Sequence, residues 1–533
     1  MTGDLRRPSA VGAILLLAVI GALVAGSALL PVGQATPVPS VAPLASSNGL
    51  GTVASAARRA ELRSRPAGSS AGAGRDVVPT LPERVGWIAV GGGAEPSSNQ
   101  VSLEQDLRLA REVLEPKATG LVLFAGGPDS MVLELGRHPS EDALHAELAT
   151  LLDPREDRAS QYRRSTLVPD GAATEHVLRA VLERALAERE AAPLMLIVAS
   201  HGNAAAKPRD DAVWLWGAQS LSAADLGDLL DRAPGSRSVL LVMSSCFSGG
   251  FAELVFAGAD PTKGAARQNR CGLFASTWDR EAAGCDPNPS RRQQQSYGLY
   301  ILHALRGADR EGRPLPTAAI DLDRDGRISP LEAHARVRIA ARSISVPTTT
   351  SERWLREVAP RAGAERRFAW PEEEAVSTEL GRSLGLGDAV AARARKAMLE
   401  TVRTTADGAL DELEQERDER LRALQLVLLE RWPELDDAWR ADFASTLARD
   451  REAIAAVLEG SDEARAYRAA EDAVERASHG YAELEEQLAL VERLVRAHEN
   501  LELAARLEAR GGSGLERFRQ LLACERGWPG QGR

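Results

Sequence analysis

Cysteine and aromatic residues are scarce in this sequence. The 533 residues include four cysteines, and aromatic side chains make up 4% of the chain. So few cysteines exclude a disulfide-rich scaffold, and the absence of a CxxC pair argues against a cysteine-rich zinc site. A net charge of −11 gives no sign of a basic face, so nucleic acid is not an expected partner. The length predicts two or three domains.

The first residues carry a long apolar run. Arg6 and Arg7 precede an apolar stretch over 10–32, and roughly 20 such residues span a bilayer. The arginines are expected to stay cytoplasmic, which places the rest of the chain on the extracytoplasmic, periplasmic side. We therefore expect residues 1–35 to anchor the protein in the membrane. The alternative is a cleaved signal segment and a secreted protein. Residues 36–83, rich in Pro, Ala, Ser and Gly, predict a disordered linker.

Short apolar runs bounded by turn residues alternate with helical periodicity over residues 84–345. The runs are Val85–Val90, Leu121–Phe124, Leu194–Ala199, Val239–Met243 and Leu273–Ser276. This pattern predicts an α/β domain with a mostly parallel sheet flanked by helices. In such sheets, functional residues gather just beyond the carboxyl ends of the strands.

The chain over 370–525 has leucines at helical spacing among charged residues. This predicts an all-α C-terminal domain, built from antiparallel helices or a short coiled coil. Such a helical tail is a candidate surface for self-association or for binding a partner protein.

Two reactive side chains follow two of the predicted strands. His201 comes after the third strand and Cys246 after the fourth, and glycines follow each of them. A thiol attacks a carbonyl as thiolate, and a nearby imidazole can take its proton. Gly202 allows the backbone to approach a substrate, where backbone N–H groups stabilise a developing oxyanion. The spacing therefore predicts a Cys–His pair at one edge of the sheet.

The stretches Ser200-His201-Gly202 and Ser245-Cys246-Phe247-Ser248-Gly249-Gly250 resemble motifs of the legumain-like and caspase-like cysteine peptidases, the caspase-haemoglobinase fold group. Stretches 91–107 and 271–287 are similar to bacterial legumain-like members. The resemblance covers about residues 84–345 and implies a caspase-like fold there. Together with the predicted anchor, it suggests a bacterial, membrane-anchored member of this group. It also implies an endopeptidase that cleaves peptides or proteins through an acyl-enzyme on Cys246, with no cofactor for catalysis. His201 would be the base, and the N–H groups of Gly202 and Cys246 would form the oxyanion hole.

The sequence departs from the resembled families at Ser244, where an acidic or amide residue often lines the specificity pocket. A hydroxyl cannot neutralise a basic substrate side chain as a carboxylate does. Ser276 and Asp279 are further candidates for lining this pocket, and an ordinary loop role is equally open to both. Two other functions stay open. Ser244 and the long helical tail are also consistent with a non-catalytic peptide-binding or scaffold protein that uses the tail as its interaction surface. A transpeptidase is the other, since an amine instead of water can resolve an acyl-enzyme.

Cys271 and Cys285 lie close together in the sequence, and an extracytoplasmic location would permit a disulfide between them. Two unpaired thiols are the alternative. Cys524 has no expected role.

The stretch 321–332 matches the calcium loop of an EF-hand. Its ligand positions are Asp321, Asp323, Asp325, Arg327 through its carbonyl, Ser329 and Glu332. Prolines at 314 and 316 leave no room for a preceding helix. The loop therefore predicts an isolated structural Ca²⁺ site, and an acidic turn that caps the next helix is the alternative.

Overall fold

The structure of the protein is a computed structural model that describes residues 77–136, 142–152, 160–188, 192–233, 237–437 and 440–527. The predicted anchor over 1–35 and most of the predicted linker over 36–83 lie outside the described residues. Within these ranges, no helix has the length and apolar character needed to cross a membrane.

The described chain forms eleven strands and thirteen α-helices. The strands are β1 (Trp87–Gly92), β2 (Gly120–Phe124), β3 (Met131–Leu135), β4 (Ser160–Arg164), β5 (Leu194–Ser200), β6 (Gly202–Asn203), β7 (Ala212–Leu215), β8 (Gln219–Ser222), β9 (Val239–Ser244), β10 (Arg270–Phe274) and β11 (Thr348–Thr349). The helices are α1 (Val101–Leu114), α2 (Ala143–Leu152), α3 (Glu175–Ala187), α4 (Ala223–Arg232), α5 (Tyr297–Leu305), α6 (Pro330–Ala340), α7 (Thr350–Val358), α8 (Pro371–Leu384), α9 (Ala389–Arg431), α10 (Phe443–Arg449), α11 (Arg451–Gly460), α12 (Asp462–Arg510) and α13 (Ser513–Arg526).

The main sheet has six strands in the order β11-β10-β9-β5-β1-β2. All neighbours are parallel except β11, which pairs antiparallel with β10. The predicted α/β class and the mostly parallel sheet flanked by helices are therefore confirmed. The last predicted strand begins three residues earlier than expected, at Arg270.

The sheet is buried on both faces, which explains its continuous apolar runs. Successive side chains of a strand point to opposite faces, and the alternate residues of β5 accordingly divide between two apolar clusters. One cluster includes Ile197 and side chains of α1, α5, α6, α7 and α13. The other includes Val198 and side chains of α3 and α4. The sheet thus lies between two helical layers, as parallel sheets generally do.

The chain divides into two compact units. We call the first the α/β unit; it comprises Ala73–Leu135, Gln161–Leu399 and Glu485–Arg533. The second, which we call the helical unit, includes Gly136–Ser160 and Glu400–Leu484. These bounds differ from the predicted domains, because both ends of the predicted helical domain over 370–525 belong to the α/β unit. The predicted C-terminal helical region is present, but its last helix, α13, buries Phe518 and Leu521 in the core beside the sheet.

The helical unit has its own apolar core. Leu424, Leu428 and Trp432 lie there with Ile454 and Leu458 of α11. Helix α2 adds three leucines to the same cluster: Leu144, Leu148 and Leu151. A segment inserted between two strands of the α/β region therefore contributes to this core, which the leucine spacing of the C-terminal region alone did not indicate.

Candidate functional site

His201 and Cys246 follow neighbouring strands at the same edge of the sheet. Strands β5 and β9 are adjacent and parallel, and Ala199 pairs with Ser244 in their register. His201 lies two residues after Ala199, and Cys246 lies two residues after Ser244. The predicted adjacency of the two strands is therefore confirmed.

Gly202 brings the segments after the two strands into direct contact. A β-carbon at this position would lie 2.2 Å from the carbonyl oxygen of Cys246, a distance that real β-carbons do not reach. Glycine is thus required for the close approach of the two segments. After the nucleophile candidate the chain turns sharply, with Phe247 in the left-handed region at φ 57°. It then continues into a 3₁₀ helix over Ser248–Val255.

The imidazole of His201 is held by two acceptors on the segment that follows β1. Its Nε2 atom lies 2.9 Å from the carbonyl oxygen of Ser98 and 2.8 Å from Oε1 of Gln100. A carbonyl oxygen only accepts, so Nε2 carries the proton and Nδ1 is the basic nitrogen of the neutral ring. Trp214 lies against the ring, with centroids 4.9 Å apart. Burial lowers the pKa of His201, opposed by the hydrogen bond to Ser98.

The thiol of Cys246 lies against the backbone of Ala282. The Ala282 N–H donates to Sγ at 3.4 Å, and the thiol donates to the Ala282 carbonyl oxygen at 3.5 Å. Burial, opposed by the hydrogen bond to the Ala282 backbone and aided by the negative charge of Glu281, raises the pKa of Cys246 to about 11. At rest, the Cys246 thiol and the His201 imidazole are therefore both neutral. Sequence reasoning missed Ser98, Gln100 and Ala282, since loop residues far apart in the chain left no periodic signal.

The three predicted pocket residues have different surroundings. Ser244 is partly exposed, and its Oγ accepts a hydrogen bond from the Gly298 N–H at 3.0 Å. Ser276 is fully buried, and its hydroxyl donates to the Glu281 carbonyl oxygen at 2.9 Å, which fixes the loop beyond β10. Asp279 is exposed and accepts from Thr277 Oγ1 at 2.7 Å.

Asp211 is a buried carboxyl group behind the segment that follows the nucleophile candidate. Its Oδ1 accepts from the Ala205 N–H at 2.7 Å, whereas Oδ2 has no hydrogen-bond partner. A β-carbon at Gly250 would lie 2.4 Å from Oδ2, so this glycine is needed for the contact. Burial raises the pKa of Asp211 to about 7, with smaller contributions from the charges of Asp210 and Asp279.

The cysteine pairing differs from the prediction. Cys271 of β10 forms a disulfide with Cys524 of α13, so the expected Cys271–Cys285 bridge is wrong. The side chain of Cys271 lies on the face of the sheet that α13 covers, and this brings together two residues 253 positions apart. Cys285 stays a thiol like Cys246. Burial raises its pKa well above the usual value, and the nearby Cys246 raises it further.

The predicted calcium loop brings three carboxylates together. Oxygens of Asp321, Asp323 and Asp325 lie within 4.8 Å of one another. Backbone N–H groups of the loop donate to all three, including Gly326 N to Asp321 Oδ2 at 3.1 Å. The Glu332 carboxylate instead accepts from Leu322 N at 2.6 Å and from two further loop N–H groups.

The other two predicted ligand positions take the conformation of a helix start. Ser329 is the N-cap of α6 and forms a capping box with Glu332, and Arg327 donates its N–H to Asp325. A single 3₁₀ turn over Thr317–Ala319 precedes the loop, as expected from the prolines. The donor set of three grouped carboxylates fits a hard cation such as Ca²⁺.

Comparison with protein-family models gave no match, and comparison with curated proteins gave no significant match.

Proposed function

We propose that the protein is a cysteine endopeptidase of the legumain/caspase type, with Cys246 as nucleophile and His201 as general base. The observation that carries the proposal is the arrangement at the sheet edge. Two reactive side chains follow adjacent parallel strands, and the Ser98 carbonyl fixes the imidazole tautomer so that Nδ1 is basic. A neutral imidazole with an available lone pair is what a general base needs.

In the proposed reaction, the sulfur of Cys246 attacks the carbonyl carbon of a peptide bond while its proton passes to Nδ1 of His201. The resulting imidazolium gives that proton to the leaving amine, and a thioester remains on Cys246. Water then attacks the thioester with His201 again as base, and the carboxylic acid product leaves. The high thiol pKa favours proton transfer during attack over a resting thiolate–imidazolium pair.

The oxyanion hole of this proposal consists of the N–H groups of Gly202 and Cys246. The close approach of Gly202 to the Cys246 backbone supports it. Preformed N–H donors of this kind stabilise the charge that develops on the carbonyl oxygen.

A cleavage profile with a peptide library tests the proposal. We expect cleavage by the parent protein and none by Cys246→Ala or His201→Ala. Cys285→Ala is the matched control, because Cys285 is the other unpaired thiol, and it should retain cleavage. Undiminished cleavage by Cys246→Ala would overturn the proposal. Adding an amine acceptor and identifying the products by mass spectrometry would reveal a transpeptidase.

The raised thiol pKa is also what a non-catalytic peptide-binding protein would show, because a buried structural thiol is inert. An acyl electrophile on a peptide separates the two functions. Stoichiometric labelling of Cys246 that is lost in His201→Ala supports the peptidase, and peptide binding without labelling supports the scaffold.

We further propose that the α/β unit works outside the cytoplasm, anchored through the predicted membrane segment over 1–35. The Cys271–Cys524 disulfide supports this location, because such bonds persist in oxidising compartments. We also propose that loop 321–332 binds Ca²⁺ as a structural ion that fixes the start of α6. The grouping of Asp321, Asp323 and Asp325 supports this site.

A further inference from the structure

A completely buried arginine of α12, Arg493, binds the segment that connects α6 to β11. Residues 341–347 form neither a helix nor a strand, so their carbonyl oxygens need partners from elsewhere in the protein. The guanidinium of Arg493 donates to four backbone carbonyl oxygens in and before this segment: Ser345 from Nε at 2.8 Å and from Nη2 at 2.6 Å, Ser343 from Nη2 at 2.9 Å, Ala341 from Nη1 at 2.7 Å and Arg338 from Nη1 at 3.2 Å. One side chain therefore fixes the course of the whole segment.

Ser345 connects this segment to the nucleophile candidate. Its side chain is buried, and its Oγ accepts from the Ala283 N–H at 2.9 Å. The residue before Ala283 is Ala282, whose N–H donates to Cys246 Sγ at 3.4 Å. A continuous series of hydrogen bonds therefore runs from the Arg493 guanidinium through Ser345 and the Ala282–Ala283 backbone to the sulfur.

The position of Ala282 matters for the chemistry of the thiol. Burial raises the pKa of the Cys246 thiol, and the hydrogen bond with the Ala282 backbone opposes that rise. A hydrogen bond donated to a thiolate favours the charged form, which is the nucleophile. Ala282 lies in the loop between β10 and α5, which has no regular secondary structure. Contacts from other segments must therefore hold this loop, and Ser345 supplies one directly beside Ala282.

We propose that Arg493 is a positioning residue of the active site, which acts through Ser345 to hold the Ala282 backbone against the Cys246 sulfur. Its role in cleavage rests on the proposed function, whereas its effect on the thiol can be measured without any substrate. The resemblance to the cysteine peptidases ends at about residue 345, so the inference assigns part of the nucleophile's surroundings to a helix outside the resembling region.

Ser345→Ala tests the link between Arg493 and the loop. Alkylation of Cys246 by iodoacetamide at mildly alkaline pH, followed by mass spectrometry, reports on the thiolate. One hydrogen bond is equivalent to about one pKa unit, and the greater nucleophilicity of the more basic thiolate offsets about half of it, so the rate should fall about threefold. The kcat for a cleaved peptide should fall as well, with KM unchanged.

The matched control is Ser343→Ala, since Ser343 is a buried serine of the same segment whose hydroxyl accepts from Arg493 at 3.3 Å. This variant should behave like the parent protein in both assays. Unchanged or faster alkylation in Ser345→Ala, or an equal decrease in Ser343→Ala, would overturn the inference.

A double-mutant cycle tests whether Arg493 acts through Ser345. Arg493→Lys keeps the charge, but an ammonium group with three donors cannot bind the same carbonyl oxygens as a planar guanidinium. It should slow the alkylation of Cys246 about as much as Ser345→Ala, and the double variant should be no slower than either single variant. Decreases that multiply in the double variant would show two independent effects and contradict the inference. If Arg493→Lys does not fold, Ser345→Ala and its control still decide.

The matched control for Arg493→Lys is Arg506→Lys. Arg506 lies on the same helix and donates to the Arg361 carbonyl oxygen at 3.0 Å. We expect alkylation of Cys246 in this variant to match that of the parent protein. Slower alkylation in Arg506→Lys would show a general effect of α12 and contradict a specific role for Arg493.

The two assays together separate this inference from the proposed function. Slower alkylation in Ser345→Ala and Arg493→Lys, without cleavage of any peptide by the parent protein, supports the positioning of the thiol and overturns the peptidase. Cleavage by the parent protein with unchanged alkylation in Ser345→Ala overturns the inference and leaves the peptidase standing.

Discussion

The Nε2 atom of His201 lies 2.9 Å from the carbonyl oxygen of Ser98, a residue 103 positions earlier in the chain. This contact decides the chemistry of the imidazole. Because a carbonyl oxygen can only accept, the proton of the neutral ring stays on Nε2, and Nδ1 is left to take a proton from a thiol. Ser98, on the segment after β1, thus determines the tautomer of His201, which follows β5.

The raised thiol pKa predicts how Cys246 reacts with small reagents. With a pKa of about 11, the thiol is almost wholly protonated near neutral pH. Its alkylation by iodoacetamide should be slow there and rise by about tenfold per pH unit until the pKa is approached. Mass spectrometry of the peptide that contains Cys246 would measure the rate. Rapid labelling that is independent of pH around neutrality would show a resting thiolate and contradict the neutral pair.

Gly202→Ala should strongly lower activity without unfolding the protein. The added β-carbon would meet the Cys246 carbonyl oxygen at 2.2 Å, so the two segments must move apart. A displacement of this kind at a reacting centre costs about 100-fold in rate. Cleavage assays and circular dichroism on the same sample would separate activity from folding.

The matched control for Gly202→Ala is Gly480→Ala in α12, where a β-carbon meets no heavy atom within 4 Å. Alanine in a helix interior is favoured over glycine by about 1 kcal/mol, so this variant should be slightly more stable and fully active. Normal cleavage by Gly202→Ala would show that the close approach is not needed for the reaction.

The sheet was predictable from sequence because each of its parallel strands is a buried apolar run with a turn at its end. The Cys–His pair was predictable for the same reason, since both residues directly follow such runs. The contact of Ala282 with the Cys246 thiol was not predictable, because Ala282 makes it through its backbone and its side chain gives no signal in the sequence. The disulfide was mispredicted because closeness in sequence favoured Cys285 over Cys524, and sequence gives no sign that α13 covers β10.

Asp211 predicts a pH dependence of stability. Its pKa is raised from 3.8 to about 7, so between these values the folded protein binds this proton more tightly than the unfolded chain. The contribution of the protonated carboxyl to the free energy of unfolding is therefore lost as pH rises from about 4 to about 7. Asp211→Asn should raise the free energy of unfolding near neutral pH by about 1–3 kcal/mol and change it little under acidic conditions. Urea denaturation across this pH range measures the difference.

The control for Asp211 is its exposed neighbour Asp210, whose charge contributes to the raised pKa. Asp210→Asn should give a smaller change in the same direction. A pH dependence that is the same in Asp211→Asn and in the parent protein would contradict the assignment to Asp211.

Cys524→Ser should destabilise the α/β unit. The Cys271–Cys524 bond closes a loop of 253 residues and ties α13 to the sheet, and loss of a native disulfide costs about 2–5 kcal/mol. We expect a lower melting temperature in the variant, and the same decrease when the parent protein is reduced. The control variant Cys285→Ser should show the same decrease in melting temperature on reduction as the parent protein. A parent protein whose melting temperature is unchanged by reductant would contradict a stabilising bond.

Loop 321–332 predicts a calcium-dependent gain in stability. An ion that binds only the folded state stabilises it by mass action, so Ca²⁺ should raise the melting temperature in a saturable manner and a chelator should reverse the effect. Asp321→Ala removes the first of the three grouped carboxylates and should abolish the response. Asp462→Ala, an exposed residue at the start of α12, should retain it. Mg²⁺ should give a weaker response, because it demands near-octahedral geometry and dehydrates reluctantly. Equal responses in the two variants, or no response to Ca²⁺, would mean that the three aspartates serve as an acidic turn before α6.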